Sequence, residues 1–120
     1  MLVVDDDHST TECFARILEL NGFEVMTALN AATGLAEANT TRPDAIILDL
    51  RMPHVDGLAF LQQLRIAPSH QDIPVAIVTG DYLLQDNVAD QLKTLGAEIH
   101  FKPLWFDDLV TLTSSLVANA

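Results

Sequence analysis

The feature that most constrains this chain is a fivefold alternation. Short apolar runs, Leu2-Val3-Val4, Val25-Met26-Thr27-Ala28, Ala45-Ile46-Ile47-Leu48, Val75-Ala76-Ile77-Val78 and Ile99-His100-Phe101, are separated by longer amphipathic stretches. Several runs are continuous rather than alternating, the pattern of a central parallel strand covered on both faces. Between them, Cys13, Phe14, Ile17 and Leu18 share one helical face, and Asn21-Gly22 supplies a C-terminal stop. Asn30 is placed to cap a helix through Leu35 that ends before Arg42-Pro43. Leu58, Leu61 and Leu64 line a third helix, stopped by Pro68. Val88, Leu92 and Leu95 line a fourth, with Gly96 past its end. Phe106, Leu109, Val110, Thr113, Leu116 and Val117 line a fifth. Strand then helix, five times over, predicts a doubly wound α/β fold: a parallel sheet with helices on both faces. No repeat, low-complexity tract or linker interrupts the order, so residues 1–120 read as a single domain.

At 49% hydrophobic and 19% charged, the chain can bury a core and does not have the composition of a disordered segment. Asp and Glu number 17 against 6 Lys and Arg, a formal charge of -11. That balance argues against direct binding to nucleic-acid phosphates and against a polybasic membrane-surface segment. No apolar run is long enough to cross a bilayer, and no signal peptide is visible. The single cysteine, Cys13, sits on the expected core stripe of the first helix and reads as a small buried hydrophobe. It excludes an internal disulfide or a multi-Cys zinc site and fits a reducing compartment, so the expected location is cytoplasmic.

In doubly wound sheets the site lies beyond the carboxyl ends of the strands. Here those ends carry Asp5-Asp6-Asp7, Asp49, Thr79 and Lys102-Pro103. Carboxylates about 4 Å apart repel by roughly 4 kcal/mol at an effective dielectric near 20, so gathering them calls for a cation. Oxygen donors without His or Cys favour Mg²⁺, Mn²⁺ or Ca²⁺ over zinc. A lysine adds positive charge, and a threonine hydroxyl can donate to a phosphoryl oxygen. The set suits phosphoryl transfer, with one carboxylate able to act as the nucleophile.

The pieces Leu2-Val3-Val4-Asp5-Asp6, Asp49-Leu50-Arg51-Met52-Pro53 with Asp56-Gly57, Val78-Thr79-Gly80 and Phe101-Lys102-Pro103, in that order, resemble the receiver domain of bacterial two-component response regulators. The resemblance implies a flavodoxin-like three-layer (βα)5 sandwich with strand order 2-1-3-4-5. It implies a phosphorylation-dependent switch rather than a turnover enzyme. Asp49 would accept a phosphoryl group from a phosphohistidine donor and lose it by hydrolysis. Asp5, Asp6, Asp49 and the backbone carbonyl of Arg51 would hold Mg²⁺ or Mn²⁺. Thr79 would bind the phosphoryl group, Lys102 would pair first with Asp49 and then with the phosphoryl oxygens, and Lys102-Pro103 would be a cis peptide. Arg51 and Asp81, two residues after Asp49 and Thr79, would tune dephosphorylation. The implied partners are a sensor histidine kinase or a histidine phosphotransfer protein. A homodimer through helix four, strand five and helix five is also implied.

Two departures stand out. The position usually held by a switch aromatic, three before the lysine, is Ile99, and the segment from Gly96 to Lys102 is one residue short. The shortening resembles receivers of hybrid histidine kinases. Two other classes use similar residues. A phosphatase of the haloacid dehalogenase type wants a second Asp where Arg51 stands. A flavodoxin-like module that is never phosphorylated would have no need of Asp5, Asp6, Asp49, Thr79 and Lys102 together. Asp7, His8, His54 and His70 read as solvent or loop residues, and Trp105 as a packing residue at the start of helix five.

Overall fold

The computed structural model describes residues 1–52, 56–80 and 84–118. Asp81, the tuning candidate, lies outside the described residues, as do Pro53 and His54. The strands are β1 Leu2–Val4, β2 Met26–Ala28, β3 Ile46–Leu48, β4 Val75–Thr79 and β5 Ala97–Phe101. The helices are α1 His8–Leu20, α2 Ala31–Thr41, α3 Gly57–Ile66, α4 Asp86–Thr94 and α5 Phe106–Ala118. All the strands run parallel in the order β2-β1-β3-β4-β5, as expected from the alternation and the resemblance. Among the described residues, no helix is long and apolar enough to cross a membrane.

Strand alternation sorts the apolar residues into two cores. Leu2, Val4, Ile46, Leu48, Val75 and Ile77 face one side, where they meet Ala31 and Ala38 of α2, Phe60, Leu61 and Leu64 of α3, and Leu92 of α4. Val3, Ile47, Ala76 and Val78 face the other, against Phe14 and Leu18 of α1 and Leu109, Leu112 and Leu116 of α5. Each fully buried Leu or Ile contributes about 2 kcal/mol of apolar burial, so the two layers clamp the sheet from both faces. The turns follow local rules. Asp7, Asn30 and Asp56 cap α1, α2 and α3 by accepting from Ser9, Thr33 and Ala59. Gly22 and Gly96 take left-handed backbone at the ends of α1 and α4, where a β-carbon would be strained.

Three sequence expectations are corrected. Cys13 is exposed rather than buried. The buried stripe of α1 is Thr11, Phe14 and Leu18, spaced i, i+3, i+7, and Cys13 is turned about 100° away from Phe14. Trp105 is 71% exposed. It precedes α5, whose buried stripe is Leu109, Leu112, Thr113 and Leu116, so Phe106 and Val117 are outside it as well. His70 does lie in the connection between α3 and β4, as read from the sequence, and is buried there at the end of a short 3-10 turn, Pro68–His70.

That turn is held by Arg65 near the end of α3. Its Nε donates to the carbonyl of Leu95 at 2.9 Å, and its Nη1 to those of His70 and Ile73 at 2.7 and 2.8 Å. One guanidinium thus joins the end of α3, the entry to β4 and the C-terminal end of α4. Arg65→Met keeps much of the apolar stem and deletes all these donors. It is expected to lower the unfolding free energy by about 2 kcal/mol in urea denaturation. A loss within about 0.5 kcal/mol would mean that water satisfies the carbonyls equally well.

Candidate functional site

Sheet hydrogen bonding carries the site residues into place. The Asp5 amide donates to the Ala28 carbonyl of β2 at 3.1 Å, and the Asp49 amide to the Val4 carbonyl of β1 at 2.9 Å. The Lys102 amide donates to the Thr79 carbonyl at 2.8 Å. Each residue therefore continues the ladder one step past its strand, which fixes its backbone while its side chain leaves the core. Lys102-Pro103 is a cis peptide.

The side chains then converge. Lys102 Nζ lies 3.0 Å from Asp5 Oδ2 and 3.7 Å from Asp49 Oδ1. Asp5 Oδ1 accepts from the Asp7 amide at 3.0 Å. Asp5 and Asp49 are buried, at 4% and 7% exposure, whereas Asp6 is exposed. Thr79, at the end of β4, is fully buried. Arg51 presents an exposed side chain just after Asp49. Asp5, Asp6 and Asp49 each offer a carboxylate oxygen, and these oxygens lie within 4.8 Å of one another. Two oxygens on one Mg²⁺ stand at most about 4.2 Å apart, at about 2.1 Å each. The cluster is thus close to a ligating arrangement, and the exposed Asp6 has room to close the difference. The all-oxygen donor set suits Mg²⁺ or Mn²⁺.

The electrostatics agree. Burial first, then the charge of Asp5, raises the Asp49 carboxyl from 3.8 to about 6; Lys102 and the Arg51 amide pull it down, and Asp6 adds to the rise. Burial works against the Lys102 ammonium, but its hydrogen bond to Asp5 and the charges of Asp49 and Asp5 outweigh it, so Lys102 titrates above its ordinary range. One ammonium does not balance this many carboxylates, a deficit that a divalent cation would offset.

Asp7 does more than face solvent. It is exposed, as read from the sequence, yet its Oδ1 caps α1 through the Ser9 amide and its Oδ2 accepts from Thr10 Oγ1 at 2.9 Å. Its own amide steadies Asp5. The signal was present in the sequence as Asp7-His8-Ser9-Thr10, an acid just before a helix with hydroxyls following. His8 opens α1, lies 3.7 Å from exposed Glu12 and is not one of the cluster's donors.

The comparisons with known proteins agree with this geometry. The sequence matches the response regulator receiver domain family over residues 1–113. It is 38% identical over 117 residues to the transcriptional regulatory protein PrrA of Mycobacterium leprae, covering 98% of this chain and 49% of that protein. The receiver domain of NtrX from Brucella abortus superimposes with a TM-score of 0.87 at 29% identity, covering 99% of this chain and 98% of that one. A receiver domain of a signal transduction histidine kinase from Syntrophus aciditrophicus gives 0.85 at 29% identity, over 98% and 88%. The chain belongs to the response regulator receiver family. It is a signalling domain of two-component systems that works through phosphorylation. The phosphatase and the passive flavodoxin-like module are set aside. A transcriptional regulator and a receiver of a histidine kinase both stand among the similar proteins, so the similarities favour neither kind. The chain spans about half the length of the curated relatives it matches.

A pH dependence follows from Asp49. Its carboxyl holds a proton more tightly in the folded chain than in the unfolded one. Ionising it therefore costs stability as pH rises from the ordinary carboxylate range through about 6. The raised value corresponds to a penalty of about 3 kcal/mol at neutral pH, before relaxation. Without metal, Asp49→Asn is expected to be more stable than the parent by about 2 kcal/mol at pH 7.5, with the gain vanishing near pH 4. Thermal melts at the two pH values check this; equal midpoints at pH 7.5 would mean that Lys102 already cancels the penalty.

Proposed function

We propose that this chain is a single receiver domain whose phosphoacceptor is Asp49, working with Mg²⁺ held by Asp5, Asp6, Asp49 and the Arg51 carbonyl. The observation that carries the reading is the convergence of a buried carboxylate, two further acids and a lysine at one sheet edge, with Asp49 and Asp5 sharing Lys102. The donor is a phosphohistidine on a sensor histidine kinase or a histidine phosphotransfer protein. Held by these residues, Mg²⁺ would supply charge neutralisation for phosphoryl transfer.

The chain's own residues do the rest. An Asp49 carboxylate oxygen attacks phosphorus in line with the leaving imidazole nitrogen. The P–O bond forms as the P–N bond breaks, the electron pair returns to the imidazole ring, and an acyl phosphate is left on Asp49. Lys102, charged and already near Asp49, moves its hydrogen bonding to the new phosphoryl oxygens. Thr79 donates its hydroxyl to another phosphoryl oxygen. Hydrolysis resets the domain: a water oxygen attacks phosphorus, the bond to Asp49 breaks, and inorganic phosphate leaves. Arg51, two residues after Asp49, and Asp81, two residues after Thr79 in the sequence, tune the rate of this hydrolysis. Location in the cytoplasm and a homodimer through α4, β5 and α5 belong to the same reading.

The test is chemical. Incubation with Mg²⁺ and a small acyl phosphate or phosphoramidate is expected to give one base-labile phosphoryl adduct by intact mass, absent in Asp49→Asn. Thr79→Ala and Lys102→Met are expected to slow its formation about 10²-fold. Arg51→Ala and Asp81→Ala are expected to change adduct lifetime rather than yield. Multiple turnover of the donor, or an adduct that survives Asp49→Asn, would sink the assignment.

A further inference from the structure

Gly57 opens α3, and nothing in its backbone asks for glycine: its φ is outside the left-handed region that marks Gly22 and Gly96. Alanine is the better helix former, so the absence of a side chain needs another cause. The surroundings supply one. A β-carbon at Gly57 would stand 2.6 Å from the backbone oxygen of Asp49 and 2.9 Å from the α-carbon of Leu50. Both are main-chain atoms and cannot swing aside. The Gly57 amide also donates to the Leu50 carbonyl at 2.8 Å, and the Asp56 side chain holds the first turn by accepting from the Ala59 amide at 2.9 Å. The start of α3 is thereby seated directly on the peptide that links Asp49 to Leu50.

That peptide belongs to one half of the carboxylate cluster. Asp5 and Asp6 follow β1, whereas Asp49 follows β3, and the Arg51 amide bonds the Asp49 carboxylate. Displacing the Asp49–Leu50 peptide by a few tenths of an ångström therefore changes the spacing between the halves. Mg²⁺ demands near-octahedral geometry at about 2.0–2.1 Å, whereas Ca²⁺ accepts longer bonds at about 2.3–2.6 Å and irregular geometry. We infer that Gly57 is a positioning residue for the cation site: its missing side chain lets α3 seat the Asp49 peptide at the spacing that a small, strict cation requires. The inference rests on reading Asp5, Asp6 and Asp49 as a cation site. Gly34 is the contrasting case, because its β-carbon would meet side-chain carbons of Phe60 and Val4 at 3.0 Å rather than the site's backbone.

The full chain and its variants are titrated with Mg²⁺ alone and with Ca²⁺ alone, followed by amide NMR, which reports folding in the same spectra. Gly57→Ala is expected to lose Mg²⁺ affinity at least tenfold and Ca²⁺ affinity less than threefold. Gly34→Ala is expected to melt lower but keep the parent's Mg²⁺-to-Ca²⁺ ratio. General destabilisation would not move that ratio, so Gly57→Ala binding both cations like the parent, or losing both equally, overturns the inference. Should Gly57→Ala not fold, Asp56→Ala, which loosens the seat without adding atoms, is expected to shift the ratio about threefold the same way, and an unchanged ratio overturns it. A parent that binds neither cation overturns the reading of the site, and the inference with it.

Discussion

The interaction on which the rest of this structure depends is the contact of one ammonium with two buried carboxylates. Lys102 reaches Asp5 at 3.0 Å and Asp49 at 3.7 Å from the far side of the sheet. The strand order makes that possible and also makes it necessary. With β1 beside β3, Asp5 and Asp49 emerge on neighbouring strands, where their charges repel. With β5 at the edge, beyond β4, the opposing charge starts roughly 10 Å from β3, two strand spacings away, and only a long flexible side chain can cross. A lysine in that place offsets part of the repulsion and leaves the remainder for a divalent ion. The ladder bonds made by Asp5, Asp49 and Lys102 keep the residues from relaxing apart. The sheet thus holds an arrangement that free side chains in water would abandon.

The legible parts of the sequence were those governed by local periodicity and order along the chain. Continuous apolar runs announced central strands, and charged or hydroxylic residues just past them had to reach one edge once the crossovers were right-handed. The strand-end residues Asp5, Asp6, Asp49 and Lys102 came together for that reason. What stayed hidden depends on rotation about a helix axis and on space. Cys13 and Leu18 are both apolar, but the stripe of α1 recruits Thr11, whose hydroxyl satisfies itself on the His8 carbonyl and so can be buried. Trp105 lies just ahead of α5, where no stripe rule applies. Nothing in the letters Asp56-Gly57 says that a β-carbon would strike the Asp49 carbonyl. Steric exclusion is a property of two segments brought together, and a single segment cannot display it.

The anchoring of α4 bears on how a change at the edge could be felt elsewhere. Leu92 is its only buried residue, and its first turn has no side-chain cap. Its last turn, by contrast, is tied through the Leu95 carbonyl to Arg65. The helix is therefore secured at the end away from Thr79 and loosely packed at the end nearer to it. Ile99 packs on the same side of the sheet as Val88 and Leu95. An isoleucine there has no polar tip to exchange between solvent and core, so what Ile99 itself contributes toward α4 is apolar packing.

Charge balance finally ties metal and phosphoryl group together. On the reading proposed above, phosphorylation adds about two negative charges to an edge where carboxylates already outnumber the one ammonium. The added charge raises the affinity for a divalent cation. By linkage the cation must favour the phosphorylated state over the unphosphorylated one by the same factor. Lys102 cannot supply this alone, because its charge is already committed to Asp5 and Asp49. The net charge of -11 over the whole chain has little part in this, since most of the acids lie on exposed surface where water and salt screen them. On that reading, what would couple the two ligands is the low exposure of Asp5 and Asp49, which leaves their charges poorly screened by water.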